Sequence, residues 1–426
     1  MILQKLYHKW VSPEIGERTQ SLLRGLNWVM PATLASRIFA GLTTIFVGRW
    51  LGAARFGDAN VSLALTLWIQ LPMMLGLLTA LMHYLPRAAQ SDRPAWITTG
   101  VGLVLVFGGM TLCISLGFKS FWARLAHVDP SLIQPAVWWC GGFLIYSIAT
   151  SLFSGLEKFR GRAVTEIIFS LLYPVIILVF YRLRQLDAAR YVAGLSVAYA
   201  ISGLVGMIMI PRREWLSRFS TSHARPLFSY GLISTIGILV QALLNSPARL
   251  ISSRYLGSFN VGVLSAYQSA STQMAFFLLA ASTQVFFPIA SRTPDPVALL
   301  KKITRLILTT APLLYVLHIG IIFAFFKLLG HGYPMSWRMI FIFSVAAVTT
   351  TYHGLLSIYM ASFGKHAMMR GFASGILAGL VNIALCLILI KRWQVAGAGT
   401  AMAIAPLFGI IGCYLMAPRT ARVIKE

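Results

Sequence analysis

The chain has 426 residues, of which 58% are apolar and only 11% charged, with a formal net charge of +25. A soluble domain carries about 25% charged residues, so the composition excludes one. The alternation of a membrane β-barrel is absent, and no basic stretch forms a nucleic-acid-binding face, so the cationic excess is read as loops facing anionic membrane lipid and no nucleic acid partner is expected.

In chain order, residues 1–24 place Lys5, Lys9, Arg18 and Arg24 among scattered apolar residues. They lack the apolar core of a signal peptide and read as an amphipathic segment on the membrane surface. An N-terminal lobe, 25–210, holds apolar runs near 26–47, 59–82, 95–117, 132–155, 163–181 and 191–210. A polar, Arg-rich linker follows at 211–226. A C-terminal lobe, 227–418, holds runs near 228–251, 261–289, 303–326, 337–361, 369–390 and 395–416, before a short tail at 419–426. Each run reaches the roughly 20 residues that a spanning helix needs, and in hydrocarbon the backbone can satisfy its polar groups only as helix. The expected fold is therefore all-α and integral to the membrane, with about twelve transmembrane helices in two six-helix lobes around a central cavity.

Six crossings per lobe bring both lobes in from the same side, as parallel repeats. With the N-terminus inside, the inner segments hold 22 Lys and Arg and the outer loops 13, which places both termini in the cytoplasm. Pro31, Pro72, Pro174, Pro247, Pro312 and Pro406 fall inside spans, where each removes a helix hydrogen bond. Cys113, Cys140, Cys386 and Cys413 lie inside apolar runs without CxxC spacing. They read as small hydrophobes, and no metal site or cofactor is indicated.

The chain repeats itself. Gly48-Arg49-Trp50-Leu51-Gly52, closed by Gly57, returns as Ser253-Arg254-Tyr255-Leu256-Gly257, closed by Gly262, at an offset of 205. Residues 192–206 and 395–409 share eight identities in fifteen positions at an offset of 203. Two blocks in the same order at nearly equal offsets indicate duplication, which in a membrane protein points to a transporter. Arg49, Gly52 and Gly57 with Arg254, Gly257 and Gly262 read as scaffold, the glycines permitting a tight turn and the arginines anchoring it at the outer interface.

Arg37 is the residue most suggestive of function. It lies roughly 16 Å along the first span at 1.5 Å per residue, too deep to reach the surface easily. Such a cation costs at least about 2.5–3.5 kcal/mol to insert, so it must face a partner or a wet cavity. The eleven acids lie in loops or at span ends, with Glu166, near the start of the fifth span, the one exception within reach. Arg37 therefore reads as a cavity cation for an anionic substrate. Gln241, Asn245 and Arg249 fall at i, i+4 and i+8 in the seventh span, the repeat partner of the first. Arginine's fork suits phosphate oxygens, and amides suit sugar hydroxyls; interhelical hydrogen bonding is the alternative role. Gln268, Ser271, Thr272, Tyr352 and His353 are weaker candidates for cavity polar groups. His353 and Glu166 are the candidates for proton coupling.

There is no GxxxxGK[ST] loop, no HExxH and no intramembrane acid pair, so no catalytic residue is assigned and an enzyme is not expected. Against this background Arg49-Trp50-Leu51-Gly52 with Gly57 resembles the LG-x4-G turn of the polysaccharide exporters of the MOP (multidrug/oligosaccharidyl-lipid/polysaccharide) superfamily. Gly330-His331-Gly332-Tyr333, Gly364-Lys365 and Val395-Ala396-Gly397-Ala398 fit the same pattern, over about residues 20–416. The match is nearest to the Wzx-type flippases of O-antigen and related polysaccharides. The resemblance implies a MATE-like fold in the cell inner membrane. It also implies a polyprenyl-pyrophosphate-linked oligosaccharide as substrate, moved from the cytoplasmic to the periplasmic leaflet, with a polysaccharide polymerase and a chain-length regulator as partners. Alternatives are an ion-coupled multidrug or metabolite antiporter of the same fold, a membrane polymerase or ligase, and a non-transporting component of a polysaccharide assembly complex.

Overall fold

The computed structural model describes residues 17–215, 217–290 and 295–417, with side chains from Val29 onward apart from several between 273 and 294. Most of the expected N-terminal surface segment and all of the 419–426 tail lie outside the described residues.

Every regular element among the described residues is helical. They are α1 (Glu17–Met74), α2 (Leu77–Tyr84), α3 (Arg93–Gly117), α4 (Lys119–Ala126), α5 (Ile133–Gly155), α6 (Phe159–Arg182), α7 (Ala188–Ile208) and α8 (Thr221–Asn245). They continue as α9 (Pro247–Tyr255), α10 (Ser258–Ala290), α11 (Pro296–Leu329), α12 (Trp337–Ser362) and α13 (Lys365–Met416), with single 3-10 turns at Pro130–Leu132 and Arg212–Glu214. Nine stretches of the described residues are long and apolar enough to cross a membrane.

Two of these stretches each cross twice. The helix α1 spans 58 residues and α13 spans 52, so either would run about 80–90 Å if straight, more than twice the hydrocarbon thickness. Each is broken by a residue outside helical geometry: Gly52 at φ 74° in α1 and Gln394 at φ 50° in α13. With α10, 33 residues long, the twelve expected crossings are accommodated. The protein is an all-α, multi-pass membrane protein.

One helix was not anticipated. α4 occupies what reads as the loop after the third span. It buries Ala123 and Ala126 while Phe118, Phe121 and Leu125 stay exposed around Lys119 and Arg124. That pattern suits a short helix lying in the interface.

The described chain forms two compact units. One takes residues 17–51 and 58–242, and the other takes 52–57 and 243–417. The seam therefore falls inside the seventh span, at Ala242/Leu243, and not in the 211–226 linker. The cause is local hydrogen bonding and stacking. Thr98 donates its hydroxyl to the Trp215 carbonyl at 2.5 Å and accepts from the Ser217 amide at 3.1 Å. The Ser220 amide donates to Thr99, and His223 Nε2 meets the Asp92 carboxylate at 3.1 Å. Next along the chain, the Tyr230 ring stacks on His83 at 4.3 Å. Gly231 lies so close to α2 that a Cβ on it would sit 2.6 Å from the Leu75 carbonyl oxygen. Linker and lower α8 are thus fastened to the first unit.

Within hydrocarbon no hydrophobic effect draws helices together, so packing depends on close backbone approach. In the first unit α5 crosses α7 at Gly203, where a Cβ would lie 2.5 Å from the Tyr146 nitrogen. The Ser196 hydroxyl, also on α7, bonds the Trp138 carbonyl at 2.7 Å. The second unit packs around Tyr267, which is fully buried, with ring centroids 4.0 Å from Phe326 and 5.2 Å from Phe343. Its hydroxyl accepts from the Ser336 amide at 2.9 Å, so the buried polar tip is satisfied.

Candidate functional site

In the first unit α1 carries Thr33 and Arg37 one turn apart, on one face. The Thr33 hydroxyl donates to Glu166 Oε2 at 2.6 Å. Glu166 is buried at 7% exposure on α6, and its other oxygen accepts from Arg162 Nε at 3.1 Å. Arg162 continues to the Ser154 hydroxyl at 3.0 Å. The carboxylate that the sequence singled out thus lies against the first span, through Thr33. Arg37 acts electrostatically on the Tyr146 and Tyr199 hydroxyls, and Glu166 acts on Tyr146 as well. Arg37 itself is exposed and is not enclosed between packed helices.

Tyr146 and Tyr199 belong to an aromatic group spanning three helices. Trp139, Phe143 and Tyr146 follow one another along α5. Tyr199 on α7 lies 5.3 Å from Phe143 and 4.1 Å from Phe169 on α6. The Trp139 ring stacks on Phe143 at 5.1 Å, and its indole N–H is buried with no hydrogen-bond partner. A guanidinium, a carboxylate and phenol hydroxyls beside half-buried rings can meet both an anionic group and sugar faces.

The other polar span runs from the end of the first unit into the second. Gln241, Asn245 and Arg249 do not share one unbroken face, because α8 ends at Asn245 and α9 begins at Pro247. Pro247 has no N–H, which frees the carbonyl four residues before it, on Leu243. Asn382 on α13 supplies the missing donor, with Nδ2 at 3.2 Å from both the Leu243 and Leu244 oxygens. Gln268 on α10 donates to the Asn245 carbonyl at 3.1 Å. Asn382 and Gln268 are 1% and 2% exposed, so both are braces of the broken helix buried in packing. Gln241 is exposed and lies on the first-unit side of the seam; Asn245 and Arg249 are half-buried in the second unit.

The weaker candidates sit in packed surroundings. Ser271 and Thr272 both bond the Gln268 carbonyl within their own helix. Tyr352 and His353 point to different neighbours. The Tyr352 hydroxyl pairs with Thr310 on α11 at 2.8 Å. The His353 ring lies against Gly409 on α13, and its buried Nε2 has no partner.

The repeated turns interlock. A Cβ on Gly57 would sit 2.6 Å from the Gly262 nitrogen, and one on Gly262 would sit 2.6 Å from the Ala53 carbonyl carbon. Reading all four glycines as turn formers holds for Gly52, at φ 74°. Gly57 and Gly262 instead let the two copies of the motif meet backbone to backbone. Gly257 has nothing within 4 Å of its Cβ position and no positive φ. Arg49 and Arg254 are both exposed at these turns.

Sequence reasoning missed Asn382, Thr33 and Arg162. Asn382 carried a signal, a single amide inside a long apolar run; Thr33 and Arg162 carried none, because their importance comes from a carboxylate on another helix.

The family described as "Polysaccharide biosynthesis protein" matches residues 22–294. No curated protein matches the chain. Among solved structures, an outward-facing multidrug resistance MATE family transporter of the MOP superfamily is similar at TM-score 0.66 and 10% identity. That match covers 95% of this chain and 98% of that one. A MATE transporter in complex with MaD3S is similar at TM-score 0.64 and 12% identity, covering 94% and 96%. The lipid II flippase MurJ, in an inward closed conformation, is similar at TM-score 0.58 and 13% identity, covering 90% and 86%. At such identities the likeness is one of fold.

Proposed function

We propose that this chain, which belongs to the polysaccharide biosynthesis protein family of the MOP superfamily, is a flippase for a polyprenyl-pyrophosphate-linked oligosaccharide. It carries the repeat unit from the cytoplasmic to the periplasmic leaflet of the inner membrane by alternating access, with both termini in the cytoplasm. The product feeds the synthesis of a surface polysaccharide such as O-antigen, capsule or exopolysaccharide, where a polymerase and a chain-length regulator act next. The family and the transporter fold support this reading, and the placement of Arg37 carries it. A guanidinium deep in the first span, within electrostatic reach of the Tyr146 and Tyr199 hydroxyls, suits a pyrophosphate followed by sugars. Gln241 in the first unit, and Asn245 and Arg249 in the second, are further polar residues for a headgroup.

Glu166 is the group through which a proton would act on this site, because Thr33 joins it to the helix that bears Arg37. His353, enclosed by packing, is the weaker candidate for that role.

In a strain that depends on this protein, Arg37→Ala should abolish surface polysaccharide while the protein level stays normal, and Arg37→Lys should restore part of it. Full export by Arg37→Ala would remove Arg37 from the substrate path. Export intact alongside lost drug resistance would favour a multidrug antiporter instead.

A further inference from the structure

The second repeated turn carries a feature that transport of a headgroup does not use. The Tyr255 ring is approached by two cations: Lys391 Nζ lies 4.9 Å from its centroid and the Arg254 guanidinium carbon 5.9 Å. Lys391 comes from the break in α13 and Arg254 from the end of α9, so the pair is assembled by tertiary structure. Arg392, also exposed, follows Lys391 directly. Both cations approach one ring, and as like charges they repel each other.

Among the described residues neither cation forms an ion pair, and Asp58, which follows Gly57 in the first repeated turn, forms none either. Asp295 is the one acidic residue of the second unit among the described residues, and it precedes α11. The 33-residue α10 separates that end from the turn, a distance of about 50 Å along the helix and therefore the far side of the bilayer. Tyr255 is 38% exposed and Trp393, two residues beyond Lys391, is 50% exposed. Exposed tyrosine and tryptophan at the ends of spans mark the headgroup level.

We infer that Arg254, Lys391 and Tyr255 form a binding site for the phosphate of a membrane lipid headgroup, at the face of the bilayer that carries the repeated turns. A phosphate between the two cations turns a repulsive pair into a bridged one and accepts charge-assisted hydrogen bonds from both. Its acyl chains run down past Trp393 into the hydrocarbon. The source is a lipid and not free phosphate, because the Tyr255 ring holds the cations and the exposed Trp393 beside them marks the depth where headgroups reside. The site stands apart from the flippase reading, and a protein that fails to transport can still bind there.

The test is retention of phosphatidic acid by the purified full-length protein, followed by native mass spectrometry across a titration of that lipid. Replacing both cations, Arg254→Gln with Lys391→Gln, should weaken the tightest lipid by about tenfold or more, from the loss of two charge-assisted bonds. Tyr255→Leu, which keeps the charges and removes the ring that places them, should weaken it less. Lys327→Gln removes a single cation over Phe323 and should leave retention unchanged. An unaltered thermal midpoint shows that each variant is folded. Equal retention by wild type and the double variant would overturn the proposal, as would an equal loss in Lys327→Gln. Displacement of the lipid by millimolar inorganic phosphate would assign the site to free phosphate and overturn the lipid.

Discussion

At the scale of single residues, the polar groups of this protein divide by what they touch. Asn382 and Gln268 bond backbone carbonyls, and both are almost wholly buried. Their work follows from Pro247, which withdraws a donor where no water can replace it. Asn382→Leu should leave two carbonyls unbonded, at about 1–3 kcal/mol each, read as a fall in the thermal midpoint of the purified protein. Adding Pro247→Ala returns an N–H to the Leu243 carbonyl, so the double variant should recover part of the loss. No fall in Asn382→Leu, or no recovery in the pair, would show that the amide does not brace the break. Thr33 and Arg162 behave differently, because they are joined to Glu166 and through it to the helix of Arg37. That linkage was invisible in the chain order, since Thr33 and Glu166 are 133 positions apart.

At the scale of elements, the duplicated turns show how a motif can be found in sequence while its use is not. The spacing of the glycines is plain in both copies, and a turn is the natural reading. Only Gly52 adopts a conformation that favours glycine. Gly57 and Gly262 are needed because the backbones of the two copies meet, and a Cβ on either would strike main-chain atoms that cannot move aside. Gly57→Val and Gly262→Val should each lower the thermal midpoint and the yield of folded protein. Gly257→Ala, with open space at its Cβ, should be close to neutral. Equal behaviour of all three would mean that the close approach is not used. The breaks at Gly52 and Gln394 make the same point about span counting, since hydropathy separates the crossings that the helical backbone nearly joins.

At the scale of the whole molecule, the compact units divide inside the seventh span, because the linker and lower α8 are tied to the first unit by Thr98, Thr99, Asp92 and Tyr230. A fragment of residues 1–242 should therefore resist proteolysis in membranes better than a fragment of 1–210, which lacks the segment that covers α2. Equal resistance would show that lower α8 adds nothing to that unit. The composition, the twelve apolar runs, the duplication and the family were legible from the sequence, because each is written in hydropathy or in short motifs that need no partner. Arg37 stands out in the sequence as a candidate, since a cation in hydrocarbon is costly wherever the chain folds. The tertiary structure alone decided that Glu166 reaches the first span, that two amides brace the broken helix, and that Lys391 joins Arg254 over one ring. Each of these depends on which helices lie side by side, and the identity of a neighbouring helix is not encoded in the spacing along any one of them.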